Sequence, residues 1–175
     1  MSTFTIDLLT GNPCLFTGNF KATGDTINYY NSTQALQLID SLGGVDVNTI
    51  QLTAINWTTE LFSGTSLNFS GGSCIYIRDN GIYSISYVLN AYSNDSVGKN
   101  IGTIIRKNGI ENIAPMISTS IILNSQNDSG VNIMPEYLIS LLNGDYIELI
   151  AFRIGNSGFL YTKENGSWIK IIKTI

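Results

Sequence analysis

Histidine is missing from this chain of 175 residues. Its absence removes Ser-His-Asp and Cys-His nucleophilic systems, and with them the commonest general base at neutral pH. Cysteine is scarce: Cys14 and Cys74 stand far apart. Residues 1–10 lack a basic stretch followed by an apolar one, so no secretory signal of the usual form is expected. The two cysteines are therefore read as buried thiols rather than a long-loop disulfide. Two Cys without His make no zinc set. Asp79, Asp95 and Asp128 fall in loops without EF-hand spacing, so no metal is expected. Charge is low as well. Asp, Glu, Lys and Arg make up 13% of the chain, against about a quarter in an average domain. The nine basic residues are scattered, the densest cluster is Arg106-Lys107, and the net charge is -4. Nucleic acid is thereby disfavoured as a partner. No apolar run is long enough to span a bilayer. No heptad or Gly-X-Y tract supplies a coiled-coil or collagen stalk. No Gly-rich loop leads into a helix, so no nucleotide or other cofactor is expected.

Apolar residues nevertheless make up 43% of the chain. One main domain of this length can bury a sizeable core without staples. A chain this apolar and this poor in charge is expected to hide further surface in an assembly; the competing reading is a surface made polar by abundant Asn, Ser and Thr. Six Asn-x-Ser/Thr acceptors, at Asn31, Asn56, Asn68, Asn94, Asn127 and Asn165, matter only in a secretory pathway. They are read as chance products of that composition.

Residues 1–46 read as an N-terminal extension. Three similar turns recur in it, Thr10-Gly11-Asn12, Thr17-Gly18-Asn19 and Thr23-Gly24-Asp25, separated by very short apolar pieces. A short helix is expected over 32–42, capped by Ser32 or Thr33, with Leu36, Ile39 and Leu42 on one face and Gly43-Gly44 at its end. From residue 47 strand follows strand: 49–57, 74–78, 82–91, 101–106, 116–123, part of 131–142, 146–152, 159–162 and 168–175. The stretch 64–73 reads as a polar loop. Asp79-Asn80-Gly81, Lys107-Asn108-Gly109, Asn143-Gly144-Asp145 and Glu164-Asn165-Gly166 are the clearest turns. Short strands between Gly and Asn turns predict an antiparallel sandwich or barrel. The cleanest strand alternates Tyr83, Ile85, Tyr87 and Leu89 on one side with Ile82, Ser84, Ser86 and Val88 on the other. Asp145 and Glu148 are the nearest approach to a paired-carboxylate site. Asp145 is expected to bond neighbouring turn amides instead, and Glu148 to sit on a strand face, so no catalytic residue is assigned.

Order and spacing over residues 48–175 resemble the C1q/TNF-like trimeric jelly roll. Gly81-Ile82-Tyr83-Ser84-Ile85 is similar to that family's Gly-x-Tyr-x-Phe strand, with Ile85 in place of the aromatic. The strand Thr103-Ile104-Ile105-Arg106 running into Lys107-Asn108-Gly109 resembles its strand ending in Lys-Asn-Gly. The run Ile139-Ser140-Leu141-Leu142-Asn143-Gly144-Asp145-Tyr146-Ile147-Glu148-Leu149 resembles its late Leu-rich and Gly-Asp segment, and Ser167-Trp168 through Ile172 its last strand. The resemblance implies an all-β antiparallel jelly-roll β-sandwich, residues 47–175, assembled as a homotrimer. A strand apolar on both sides is buried on both, once in its own core and once against a neighbour. Tyr83, Ile85 and Tyr87 are assigned to that trimer interface.

The expected function is structural and adhesive, not enzymatic. The homotrimeric head would sit on a virion or other particle surface, as a viral minor capsid, spike or capsid-decorating protein. Residues 1–46 would attach it to other particle-surface proteins. Loops at 94–100, 124–130 and 155–165 would meet a host receptor or glycan. The alternatives are a secreted, extracellular C1q/TNF-like ligand or glycan-binding module, and a bacterial spore-surface protein.

Overall fold

The computed structural model describes residues 34–47, 52–93, 99–115, 117–121, 129–154 and 160–174. Thirteen strands lie among the described residues, in two sheets. The first sheet contains β1 (Ala35–Asp40), β3 (Thr59–Ser63), β6 (Gly81–Tyr92), β10 (Ser129–Leu141), β12 (Tyr161–Thr162) and β13 (Ser167–Lys173). Its order is β10-β6-β13-β1-β3, with β12 also on β6. The second contains β2 (Thr53–Ala54), β4 (Leu67–Phe69), β5 (Ile75–Ile77), β7 (Lys99–Lys107), β8 (Glu111–Asn112), β9 (Ile117–Ile121) and β11 (Tyr146–Ile154). Its order is β4-β5-β11-β7-β8, with β2 on β11 and β9 on β7. Every pairing between these strands is antiparallel. The all-β expectation holds, and among the described residues no helix is long and apolar enough to cross a membrane.

The core lies between the inner faces of the two sheets, as alternation requires. Tyr83, Ile85, Tyr87 and Leu89 of β6 meet Ile101 and Ile105 of β7 and Ile147 and Leu149 of β11 in one buried cluster. Each such side chain, fully enclosed, contributes about 1.5–3 kcal/mol of transfer free energy. One polar chain crosses this interior. The Tyr87 hydroxyl meets Thr103 Oγ1 at 2.8 Å, and Asn132 Nδ2 donates to the same oxygen at 3.1 Å and to the Ile101 carbonyl at 3.2 Å.

The helix expected over 32–42 is replaced by strand β1, which lies between β13 and β3. Leu36, Leu38 and Asp40 point inward and are buried, a spacing of two that the helical reading of Leu36 and Ile39 overlooked. A helix this short is marginal in water, whereas a strand here gains two hydrogen-bonded neighbours and a core face. The expected division after residue 46 therefore has β1, an interior strand of the sandwich, on its N-terminal side. The buried Asp40 carboxylate accepts from the Gly43 amide at 2.8 Å and from Thr162 Oγ1 at 2.8 Å. Gly43 takes φ +63°, and a Cβ there would strike the backbone of Lys163 and Glu164. The loop expected at 64–73 likewise contains strand β4, because Leu67 is buried against the core.

At one end of the sandwich three expected turns are tied together. Asn108, with φ 53°, donates from Nδ2 to Asp145 Oδ1 at 2.8 Å and accepts at Oδ1 from the Tyr146 amide at 2.9 Å. Asp145 Oδ2 accepts from the Leu142 amide at 2.9 Å, the turn role expected for it, and Asn80 Oδ1 accepts from the Asn143 amide at 2.7 Å. Burial pushes the Asp145 carboxyl upward, but the Leu142 amide, the Asn108 amide and the Lys107 charge outweigh it and leave the pKa lowered. The turns expected at 10–25, the caps Ser32 and Thr33, Cys14 and residues 94–98, 124–128 and 155–159 of the expected loops lie outside the described residues.

Candidate assembly face

Tyr83, Ile85 and Tyr87, assigned above to a trimer interface, are fully enclosed within one protomer. The Tyr83 hydroxyl donates to the Asp79 carbonyl at 2.7 Å. Burial first, and the Asp79 charge second, push its pKa up to about 12. Tyr87 is likewise raised by burial, against the lowering effect of its bond to Thr103. These side chains cannot face a neighbour, because strand twist and pleat turn them onto the second sheet. What remains for a neighbour is the opposite face of the same strand.

That face is built by register, since directly paired residues in an antiparallel sheet share a side. Ile82, Ser84, Ser86 and Val88 lie on it from β6. Val88 is paired with Ile133 of β10 and Trp168 of β13, Ser86 with Lys170, and Ser84 with Leu138 and Ile172. Beyond β13 the same rows continue into Ile39, Gln37 and Ala35 of β1. The apolar residues run across four adjacent strands. Ile133 is 55% exposed, Leu138 58%, and Val131 and Ile82 37% each. Leu42, Ile110 and Leu142 are also exposed but sit singly at turns, which is ordinary for a protein surface. An apolar sheet face spread over four adjacent strands is not.

β10 is the edge of this sheet, bonded within it to β6 alone. Its register shifts between Met134 and Tyr137, where Pro135 and Glu136 form a bulge. The bulge changes the parity of the strand. Before it Ile133 faces outward and Met134 inward; after it Tyr137, Ile139 and Leu141 turn to the core and Leu138 outward. A strict period of two would have placed Leu138 inside. The available signal was Pro135, which a sheet tolerates at an edge or a bulge. Glu136 folds back over the face, and Ser84 Oγ donates to its Oε1 at 2.8 Å.

No catalytic arrangement appears among the described acids. Asp145 is held in the turn network, whereas Glu148 on β11 accepts from Ser73 Oγ at 2.8 Å and Cys74 Sγ at 3.6 Å. The two do not share a partner. Cys74 is a free, half-buried thiol rather than a fully buried one. Burial pushes its pKa up, with the Ser73 bond opposing and the Glu148 charge adding to it, so it is a weak nucleophile at neutral pH.

No family model matches the chain, and no curated protein is similar to it. Solved structures are. The Eiger TNF of S. frugiperda superposes with a TM-score of 0.58 at 13% identity, covering 81% of this chain and 92% of that one. Murine APRIL gives 0.56 at 16% identity, covering 80% and 98%. The globular domain of zebrafish complement 1qA protein gives 0.53 at 16% identity, covering 81% and 98%. At these identities the likeness is one of architecture, and it extends over both sheets: the fold of this chain is a C1q/TNF-like jelly-roll β-sandwich.

Proposed function

We propose that this protein is a non-enzymatic, homotrimeric head displayed on a particle surface. The observation that carries the assembly is the outer face of the first sheet: apolar side chains on four adjacent strands, in a chain with 13% charged residues. Burying a half-exposed Ile or Leu there contributes on the order of 1 kcal/mol per side chain, repeated in each of three identical interfaces. A cyclic trimer suits a face with two unlike parts, the edge β10 and the centre β13-β1, because each copy presents both. The missing histidine and the separate engagements of Asp145 and Glu148 support a role without chemistry.

The chain preceding β1 ties the head to its particle, and the loops at 94–100, 124–130 and 155–165 meet a receptor or glycan. A viral minor capsid, spike or capsid-decorating protein is the reading we favour. The second reading, a secreted ligand or glycan-binding module, draws on the likeness to proteins described as TNF, APRIL and a complement component. A spore-surface head is a third setting for the same assembly. Light scattering on the purified chain is expected to return three times the 19.1 kDa chain mass; a monomer at micromolar concentration overturns the assembly. Gradient sedimentation of native material separates the settings. Co-migration with virions or spores supports the particle role, whereas recovery from culture fluid with sugar on Asn56 or Asn165 supports the secreted one.

A further inference from the structure

The assembly face contains two charges of opposite sign that its own protomer leaves apart. Glu136 stands on the bulge of the edge strand, its carboxylate drawn over the sheet by Ser84 Oγ at 2.8 Å. Lys170 stands in the middle of the face on β13, half-buried, beside Ser86 on β6 and Gln37 on β1. Strand β6 separates them, so they lie two strand spacings apart, roughly 9–10 Å. Neither makes an ion pair with a described residue. A lysine already half-buried on an apolar sheet loses more water when a neighbour covers it, and an unpaired buried charge is costly.

We propose that Glu136 of one copy pairs with Lys170 of the next around the threefold axis, and that this pair sets the register of the trimer. The inference rests on the assembly proposed above and names its charged contact. A cyclic interface is heterologous: one patch of each copy meets a different patch of its neighbour. The two patches here are the edge, with Val131, Ile133, Glu136 and Leu138, and the centre, with Trp168 and Lys170. The edge presents the acid and the centre the base, which is the complementarity a head-to-tail contact needs. Self-contact of edge with edge would instead bring Glu136 against Glu136.

Charge exchange tests it on the full chain, read as the concentration at which the trimer dissociates in light scattering. Glu136→Lys and Lys170→Glu each place like charges across the interface and are expected to raise that concentration at least roughly tenfold, more at low salt than at high. The double exchange restores the opposite signs and is expected to return within about threefold of the wild type. Lys170→Gln serves as a control for folding: with an unchanged circular dichroism spectrum it should weaken assembly less than Lys170→Glu. Single variants that assemble like a trimeric wild type, or a double variant as weak as the product of the singles, overturn the pairing and leave the trimer standing. A monomeric wild type removes both.

Discussion

The two faces of β6 both contain apolar side chains and differ in use. One side, Tyr83, Ile85, Tyr87 and Leu89, is sealed in the protomer's interior; the other, Ile82, Ser84, Ser86 and Val88, forms part of the outer sheet surface. The sealed side contains large rings whose hydroxyls each find a partner, the Asp79 carbonyl for Tyr83 and Thr103 for Tyr87. The outer side sets two small serines, Ser84 and Ser86, between the aliphatic Ile82 and Val88. Its apolar area is extended by β10 and β13, which supply Ile133, Leu138, Trp168 and Ile172, and by Ile39 of β1. A tyrosine can lie in a core when its hydroxyl is satisfied there, so a polar ring on a strand does not identify the interface side. The outer side has small residues on the central strand and large aliphatic ones on the edge.

Substitutions separate the two faces. Tyr87→Ala removes an interior ring and the hydrogen bond between its hydroxyl and Thr103 Oγ1; the expected loss is about 3–5 kcal/mol of folding stability in urea denaturation. A loss below about 1 kcal/mol would mean that the interior of β6 is not the core of the protomer. Tyr83→Phe acts through pH. The folded pKa of about 12 lies above the ordinary value of 10.0, so the folded state keeps its proton longer. The stability linked to this group is fully present below pH 10 and is lost as pH rises toward 12. Alkaline denaturation of Tyr83→Phe should accordingly show a flatter decline over pH 10–12 than the wild type. An identical slope would place the Tyr83 hydroxyl in contact with solvent. Ile133→Asp with Leu138→Asp is expected to have the smallest effect on the protomer, within about 0.5 kcal/mol, because exposed positions tolerate polar residues. The circular dichroism spectrum stays the same while the scattering mass falls from three chains to one. Loss of the fold itself would assign these residues to the core.

Much of the sandwich was legible in the chain. The strands β5, β7, β9, β11 and β13 fall within two residues or so of the segments that turn residues and alternation mark out, as do the turns at Asn80, Asn108 and Asp145. The family resemblance rested on the same features and matched the architecture. β1 was missed because Leu36, Ile39 and Leu42 also satisfy a helical spacing, and nothing local distinguishes that from the inward pair Leu36 and Leu38. β4 was missed because three residues between polar neighbours give too short a pattern. The candidate site was half legible: the strand apolar on both sides was visible, but Tyr83, Ile85 and Tyr87, assigned to a neighbour, lie on the side enclosed within the protomer.

Period-two alternation and positive-φ turn residues are local properties. They arise from how side chains leave a pleated backbone and from where a chain can reverse, so the amino-acid order alone was enough to specify most of the longer strands, the main turns and an all-β class. Which side of β6 meets the second sheet, the change of parity at Pro135 and Glu136, and the meeting of Glu136 with Ser84 depend on residues far apart along the chain. Those features exist only once β10, β6 and β13 lie side by side, because register between strands is set by packing across the sandwich and not within any one of them.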